Sequence, residues 1–217
     1  MMSPNGRRPP ADPWLISLDY RRNRPWWYDA DDAVTRWTVA AHVQDDDGHP
    51  GDHVAEIDVA VVEPDRTRDP ISLLDGEDGD LGLVAETILD LSSGDLDPDF
   101  DALLEAAGSQ ILVLNRVELT APWRGFGLGA LLAGTALREL SGGARAAVCY
   151  PAPIDDAAED QADPCSRRRA VASLERVWAG LGFVPFRNGI HVLDLGLVTL
   201  EESLAKLRAQ AEVYRVR

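Results

Sequence analysis

The chain has 217 residues, 45% of them apolar and 27% charged, which suits one globular domain with a sizeable core and excludes wholesale disorder. Its net charge is −16, concentrated in residues 29–110, where 23 acids face three Arg. So negative a chain repels nucleic acid and anionic lipid, and it holds no apolar run of roughly 18 residues that would predict a membrane-spanning helix.

Residues 1–13, rich in Pro and Arg, read as a mobile tail, and residues 14–217 as one domain. The N-terminus lacks the apolar core of a secretory signal. Trp14, Trp26, Trp27, Tyr28 and Trp37, with Pro25 among them, predict an irregular segment packed over the core. Trp37, Val39, Ala41 and Val43 alternate as in a strand, and Ala55, Ile57, Val59 and Val61 do so after a turn over 45–52. The two form an antiparallel hairpin ended by Pro64. A loop over 65–80 leads to helices over Asp80–Leu91 and Asp99–Ala107, so residues 65–110 read as an acidic helical insertion.

Ile111–Leu119 is a strongly apolar strand. Gly127–Leu140 is a helix closed by Gly142 and Gly143, and Ala146–Tyr150 a strand stopped by Pro151. An acidic loop over 155–164 precedes a helix over Ser166–Leu181, with Gly182 at its end. Phe183–Phe186 and Ile190–Leu195 pair across Asn188-Gly189. Thr199 and Glu202 predict a capping box for the last helix, whose apolar stripe is Leu200, Leu204, Leu207 and Ala211. This order of elements predicts a mixed α/β (α+β) class. Cys149 and Cys165 form no CxxC pair, which fits a reducing compartment, the cytoplasm, and neither a disulfide scaffold nor a zinc site. His42, His49 and His53 surround the acidic turn, but Pro50 stands where a calcium loop needs Gly, so no metal is expected.

The segment from Leu114 to Gly129 carries the chemistry: an apolar strand, a Pro-punctuated turn, glycines at alternate positions 125, 127 and 129, then a helix. Such a loop bares successive N–H groups at a helix N-terminus, where backbone and dipole favour phosphate. It is neither a Walker loop, which ends in Gly-Lys-Ser/Thr, nor the dinucleotide fingerprint GxGxxG. As a structural element alone it is a tight strand-to-helix turn.

Arg124-Gly125-Phe126-Gly127-Leu128-Gly129 resembles the acyl-coenzyme A loop of the GNAT acyltransferase superfamily. Trp178-Ala179-Gly180-Leu181-Gly182-Phe183 is similar to that family's "aromatic, three residues, Gly-Phe" element. The likeness covers roughly residues 111–195. It implies a mostly antiparallel sheet, flanked by helices, whose central parallel strands splay at their C-terminal ends. The pantetheine arm of acetyl-coenzyme A, or of another acyl-coenzyme A, would lie in that gap on Val117, Glu118 and Leu119. The pyrophosphate would sit on the amides of Gly125, Phe126, Gly127, Leu128, Gly129 and Ala130, with Arg124 beside it in the cofactor loop. Arg167, Arg168 and Arg169 would meet the outer phosphate, or form a solvated basic cluster. The implied reaction is direct attack of a primary amine on the thioester in a ternary complex, with the oxyanion held by a strand amide near Leu119.

Three departures stand beside the likeness. Trp178 takes the position where many members carry a Tyr acid, and indole is no proton donor of that kind. A long insertion replaces a short connection, and the usual N-terminal helices are not evident. Tyr150 is then the candidate acid, or a strand-end aromatic with its hydroxyl in water. Glu118 is the candidate base, or the partner of Arg116 in an ion pair. Cys149 reads as a buried strand residue; as a nucleophile it would need a histidine, and His191 is the nearest in order. The acidic stretch suits a cationic acceptor: a polyamine, an amino sugar, or a protein lysine or N-terminus. Neither nucleic acid nor membrane is expected as a partner, and a homodimer is left open. Two other readings share the residues: a non-catalytic coenzyme-binding protein, and an interaction module using its tryptophans and acidic insert.

Overall fold

The computed structural model describes residues 7–23, 34–45, 47–66, 79–105, 108–153 and 164–215. Residues 1–6 of the expected tail, Trp26, Trp27 and Tyr28, Ala107, and most of the loops over 65–80 and 155–164 lie outside them.

Seven strands form one sheet in the order β1-β2-β3-β4-β5-β7-β6. They are β1 (Ile16–Asn23), β2 (Val34–Gln44), β3 (Pro50–Val62), β4 (Gln110–Leu119), β5 (Ala144–Cys149), β6 (Val184–Pro185) and β7 (His191–Asp194). Every neighbouring pair is antiparallel except β4 with β5. The mixed α/β class with a mostly antiparallel sheet therefore stands. The hairpin of β2 and β3 forms where alternation places it, with Val39 opposite Ile57 and Trp37 opposite Val59.

β1 corrects the irregular segment expected after Trp14. Only Pro13–Leu15 is a short 3-10 turn; the chain then runs as an edge strand along β2. Ile16, Leu18 and Tyr20 alternate with Ser17 and Asp19 and pack on the core, a period of two that the crowd of aromatics and Pro around it obscures.

Helices cover both faces of the sheet. On one face, α3 (Leu128–Leu140), α4 (Pro164–Ala179) and α5 (Thr199–Ala211) bury Val39, Leu112, Leu114 and Ala147. On the other, α1 (Gly79–Ile88) and the single turn α2 (Pro98–Asp101) bury Ala60, Val62, Ile111, Val113, Ala146 and Val148. Leu81, Val84, Ala85, Ile88 and Phe100 are almost fully buried, so the described part of the acidic insertion is a wall of the core rather than a lid. Its acids face outward or pair: Asp97 and Asp99 with Arg187, Asp101 with Arg145.

Two helix ends differ from expectation. α2 starts where Asp97 accepts from the N–H groups of Asp99 and Phe100, but it stops after one turn instead of reaching Ala107. Tertiary bonds take the chain over: Asp101 pairs with Arg145, and the Glu105 N–H donates to Asp194 at 2.8 Å. At α5 no capping box forms. Thr199 is the first helical residue, and Glu202 N–H donates to the Val198 carbonyl. The Thr199 methyl is committed elsewhere: it covers Gly182, where a Cβ would lie 2.4 Å from it. Gly182 needs no Cβ for a second reason, its φ of +103° at the end of α4.

Candidate functional site

The site grows from a mismatch in pairing along β4. Toward β5 its partners run from Gln110 opposite Ala144 to Leu114 opposite Cys149 and end there. Toward β3 they continue to Leu119 opposite Ala55. Residues 115–119 therefore keep an open edge on the β5 side. The register to β3 slips at one point: Val59 pairs with Leu114 and Asp58 with Arg116, so Asn115 is an extra, bulged residue. The bulge re-phases the strand. Leu112 and Leu114 face the α3 side before it, Val117 and Leu119 after it, and Arg116 and Glu118 turn to the α1 side.

The same register says which main-chain groups face the gap. Thr120 N–H donates to the Val54 carbonyl at 2.9 Å, which makes Leu119–Ala55 a non-hydrogen-bonded pair. By alternation the N–H and C=O of Val117 and Leu119 point away from β3, into the gap, while those of Glu118 are committed to β3. Of the three residues expected to line a bound arm, two offer main chain and Glu118 only its side chain.

The loop beyond β4 is open. The N–H groups of Gly125, Phe126 and Gly127 donate to no acceptor among the described residues, and the first turn of α3 adds the donors that every helix leaves unpaired. Gly125 and Gly127 have φ of +87° and +76°, which favours glycine, and a Cβ at either would meet nothing within 4 Å. Gly129 serves packing instead: a Cβ there would lie 3.0 Å from Leu119 Cδ1, so its absence lets α3 sit on the end of β4. Phe126 turns inward, edge-on to Tyr214.

Between β4, the end of β5 and α4 lies a crevice of about 510 Å³. Val117, Leu119 and Arg124 line one wall, and Ala170, Leu174 and Trp178 of α4 the other. Trp178 is 7% exposed and set edge-on to Phe183. Tyr150, 38% exposed, stands at the mouth with its ring against Gly189. Glu118 reaches the crevice already engaged: Arg116 Nη2 bonds its carboxylate, and Arg124 Nη2 lies 3.9 Å away. Arg124 Nε also donates to the Leu119 carbonyl at 2.7 Å, so that acceptor is taken. Cys149 lines the crevice but is buried, and burial pushes its thiol pKa far up, so it stays a neutral thiol. It is the cross-strand partner of His191, whose Nδ1 lies 3.1 Å from the Gly189 carbonyl. Cys165 is exposed and unbridged. Arg167 and Arg168 have contacts of their own beside a shallow depression on α4, and neither they nor Arg169 lines the crevice.

Sequence reading missed several residues here. Asn115 is invisible to it, because a bulge follows from pairing with β3. Ala170, Leu174 and Trp178 share a four-residue spacing that could have marked the crevice side of α4. A smaller cavity of about 130 Å³ under α1 has no signal in the sequence either; Thr38, Asp58, Leu81 and Asn115 contribute to its lining. Asp45, Asp47 and His49 can bring ligand atoms within 4.8 Å of one another, but all three are exposed and Asp45 Oδ1 already caps the turn, accepting from the N–H groups of Asp47 and His49. His42 and His53 face each other at 5.1 Å.

Neither the family models nor the curated proteins match this chain. Among the described residues no helix is long and apolar enough to cross a membrane.

Proposed function

We propose that the chain is an acyl-coenzyme A-dependent N-acyltransferase of GNAT type, moving an acetyl or short acyl group to a primary amine in the cytoplasm. One observation carries the reading: an edge of β4 left open where its parallel partner β5 ends runs directly into a loop of amides, unpaired among the described residues, at a helix N-terminus. A flat, extended arm ending in a diphosphate fits that pair of features. The Val117 C=O and the Leu119 N–H would bond the arm as a strand would, and the amides of residues 125–130 would take the diphosphate. Gly125 and Gly127 leave room above the loop for it.

The thioester supplies an acyl group activated for attack. The Val117 N–H, facing the crevice on the side away from the diphosphate loop, is a donor for its carbonyl oxygen. Tyr150, at the mouth beyond the end of β5, carries a hydroxyl able to protonate the departing sulfur. Transfer is direct, because the buried Cys149 thiol holds its proton and is a poor nucleophile. Two of the departures from the family pattern, a long insertion and no N-terminal α-helix among the described residues, read as one exchange: α1 and α2 cover the sheet face that would otherwise be bare.

A second reading, coenzyme binding without turnover, draws support from Glu118, held by Arg116 and close to Arg124, and from Trp178 in place of an acid. Free-thiol release from acetyl-coenzyme A over a panel of amines separates the two. Release favours the transferase. Saturable binding without release from any amine favours the second reading, and no binding refutes both.

A further inference from the structure

The geometry points to the cavity under α1 as the seat of a second positive charge on the acceptor, and so to a diamine or longer polyamine as substrate class. This rests on the acyltransferase reading above. The cavity and the crevice share one lining residue, Asn115, so both border the bulge, just past the point where β4 stops pairing with β5. An acceptor lying across that junction has one end under α1 and the other beside the thioester.

Asp58 is the carboxylate of the cavity. It is half-buried, its Oδ1 accepts from the Thr38 hydroxyl at 2.9 Å, and it makes no ion pair among the described residues. Its cross-strand neighbour Arg116 is occupied with Glu118 instead. Arg36, on the exposed side, has contacts of its own. A carboxylate beside a hydroxyl in about 130 Å³ suits an ammonium head group. That ammonium is not the reacting one. A nitrogen held on a carboxylate keeps its proton and has no lone pair to offer, so the nucleophile is a second amine on the crevice side of Asn115. There the nitrogen–carbon bond forms as the carbon–sulfur bond breaks. Of the two protons the reacting ammonium loses, one ends on the sulfur and one in water. Asp58 is thus a specificity-determining residue and not a catalytic one.

The test compares putrescine with butylamine as acceptors for the full chain, reading thiol release from acetyl-coenzyme A. The wild type should favour the diamine about tenfold in kcat/KM, the effect of one charge-assisted contact. Asp58→Asn, which still accepts from Thr38, should erase that preference through KM and leave acetyl-coenzyme A affinity and melting temperature unchanged. A preference absent from the wild type, or surviving in Asp58→Asn, overturns this inference while the acyltransferase reading stands. No release from either amine also overturns it; if acetyl-coenzyme A fails to bind as well, the acyltransferase reading falls too.

Discussion

The two halves of β4 differ in what their edges do. Residues 110–114 pair on both sides, and Ile111, Leu112 and Val113 are sealed beneath helices on either face. Residues 116–119 pair on one side, alternate charged with apolar side chains, and present main chain to a crevice. One strand is therefore a structural beam for half its length and an open edge beside a crevice for the other. A single bulged residue, Asn115, and the end of β5 at Cys149 separate the roles.

The comparison can be broken at either half. Leu112→Ala strikes the beam. It opens a cavity in a fully buried site and should cost about 3 kcal/mol of stability in a urea titration, while coenzyme affinity in the folded fraction holds. Gly127→Glu strikes the edge. It puts a carboxylate where a diphosphate would lie, and should weaken coenzyme A binding by about a hundredfold by calorimetry. Its φ of +76° adds roughly 1 kcal/mol of strain. Were Gly127→Glu to bind as the wild type does, the loop would have no such role. Tyr150→Phe should slow thiol release by about tenfold to a hundredfold with coenzyme affinity kept. An unchanged rate would return Tyr150 to an ordinary strand-end aromatic.

The smallest expected effect lies outside the crevice lining, where the turn after β6 meets the insertion. The Arg187 guanidinium, by its hydrogen bond, holds the Asp97 carboxyl below the usual carboxylate range, helped by the N–H groups of Phe100 and Asp99 against some desolvation. A depressed carboxyl stabilises the fold above its unfolded pKa and loses that contribution as pH falls through the folded value. Arg187→Ala should therefore lower the melting temperature at neutral pH, and the gap from wild type should narrow below about pH 4. A gap independent of pH would assign the loss to packing of the arginine over Phe186 instead.

Legibility in the sequence followed the same division. The beam is apolar on both faces, and the glycine loop carries its backbone demands in residue type, so both could be read directly. The edge could not. That Val117 and Leu119 turn their main chain to the gap depends on a register slip created by pairing with β3, more than fifty positions earlier in the chain. Ser17 and Asp19 between Ile16, Leu18 and Tyr20 did signal β1, but nearby tryptophans and prolines suggested irregularity. The short α2 and the unformed capping box at Thr199 record tertiary contacts, from Arg145, Asp194 and Gly182, overriding local helix signals.

Amide hydrogen exchange with and without acetyl-coenzyme A tests the central claim most directly. Exchange should slow at Val117, Leu119 and residues 125–130, and stay unchanged in residues 110–114 and in β1. Protection confined to other parts of the chain, or none at saturating ligand, would contradict the assignment of the open half of β4 and its loop.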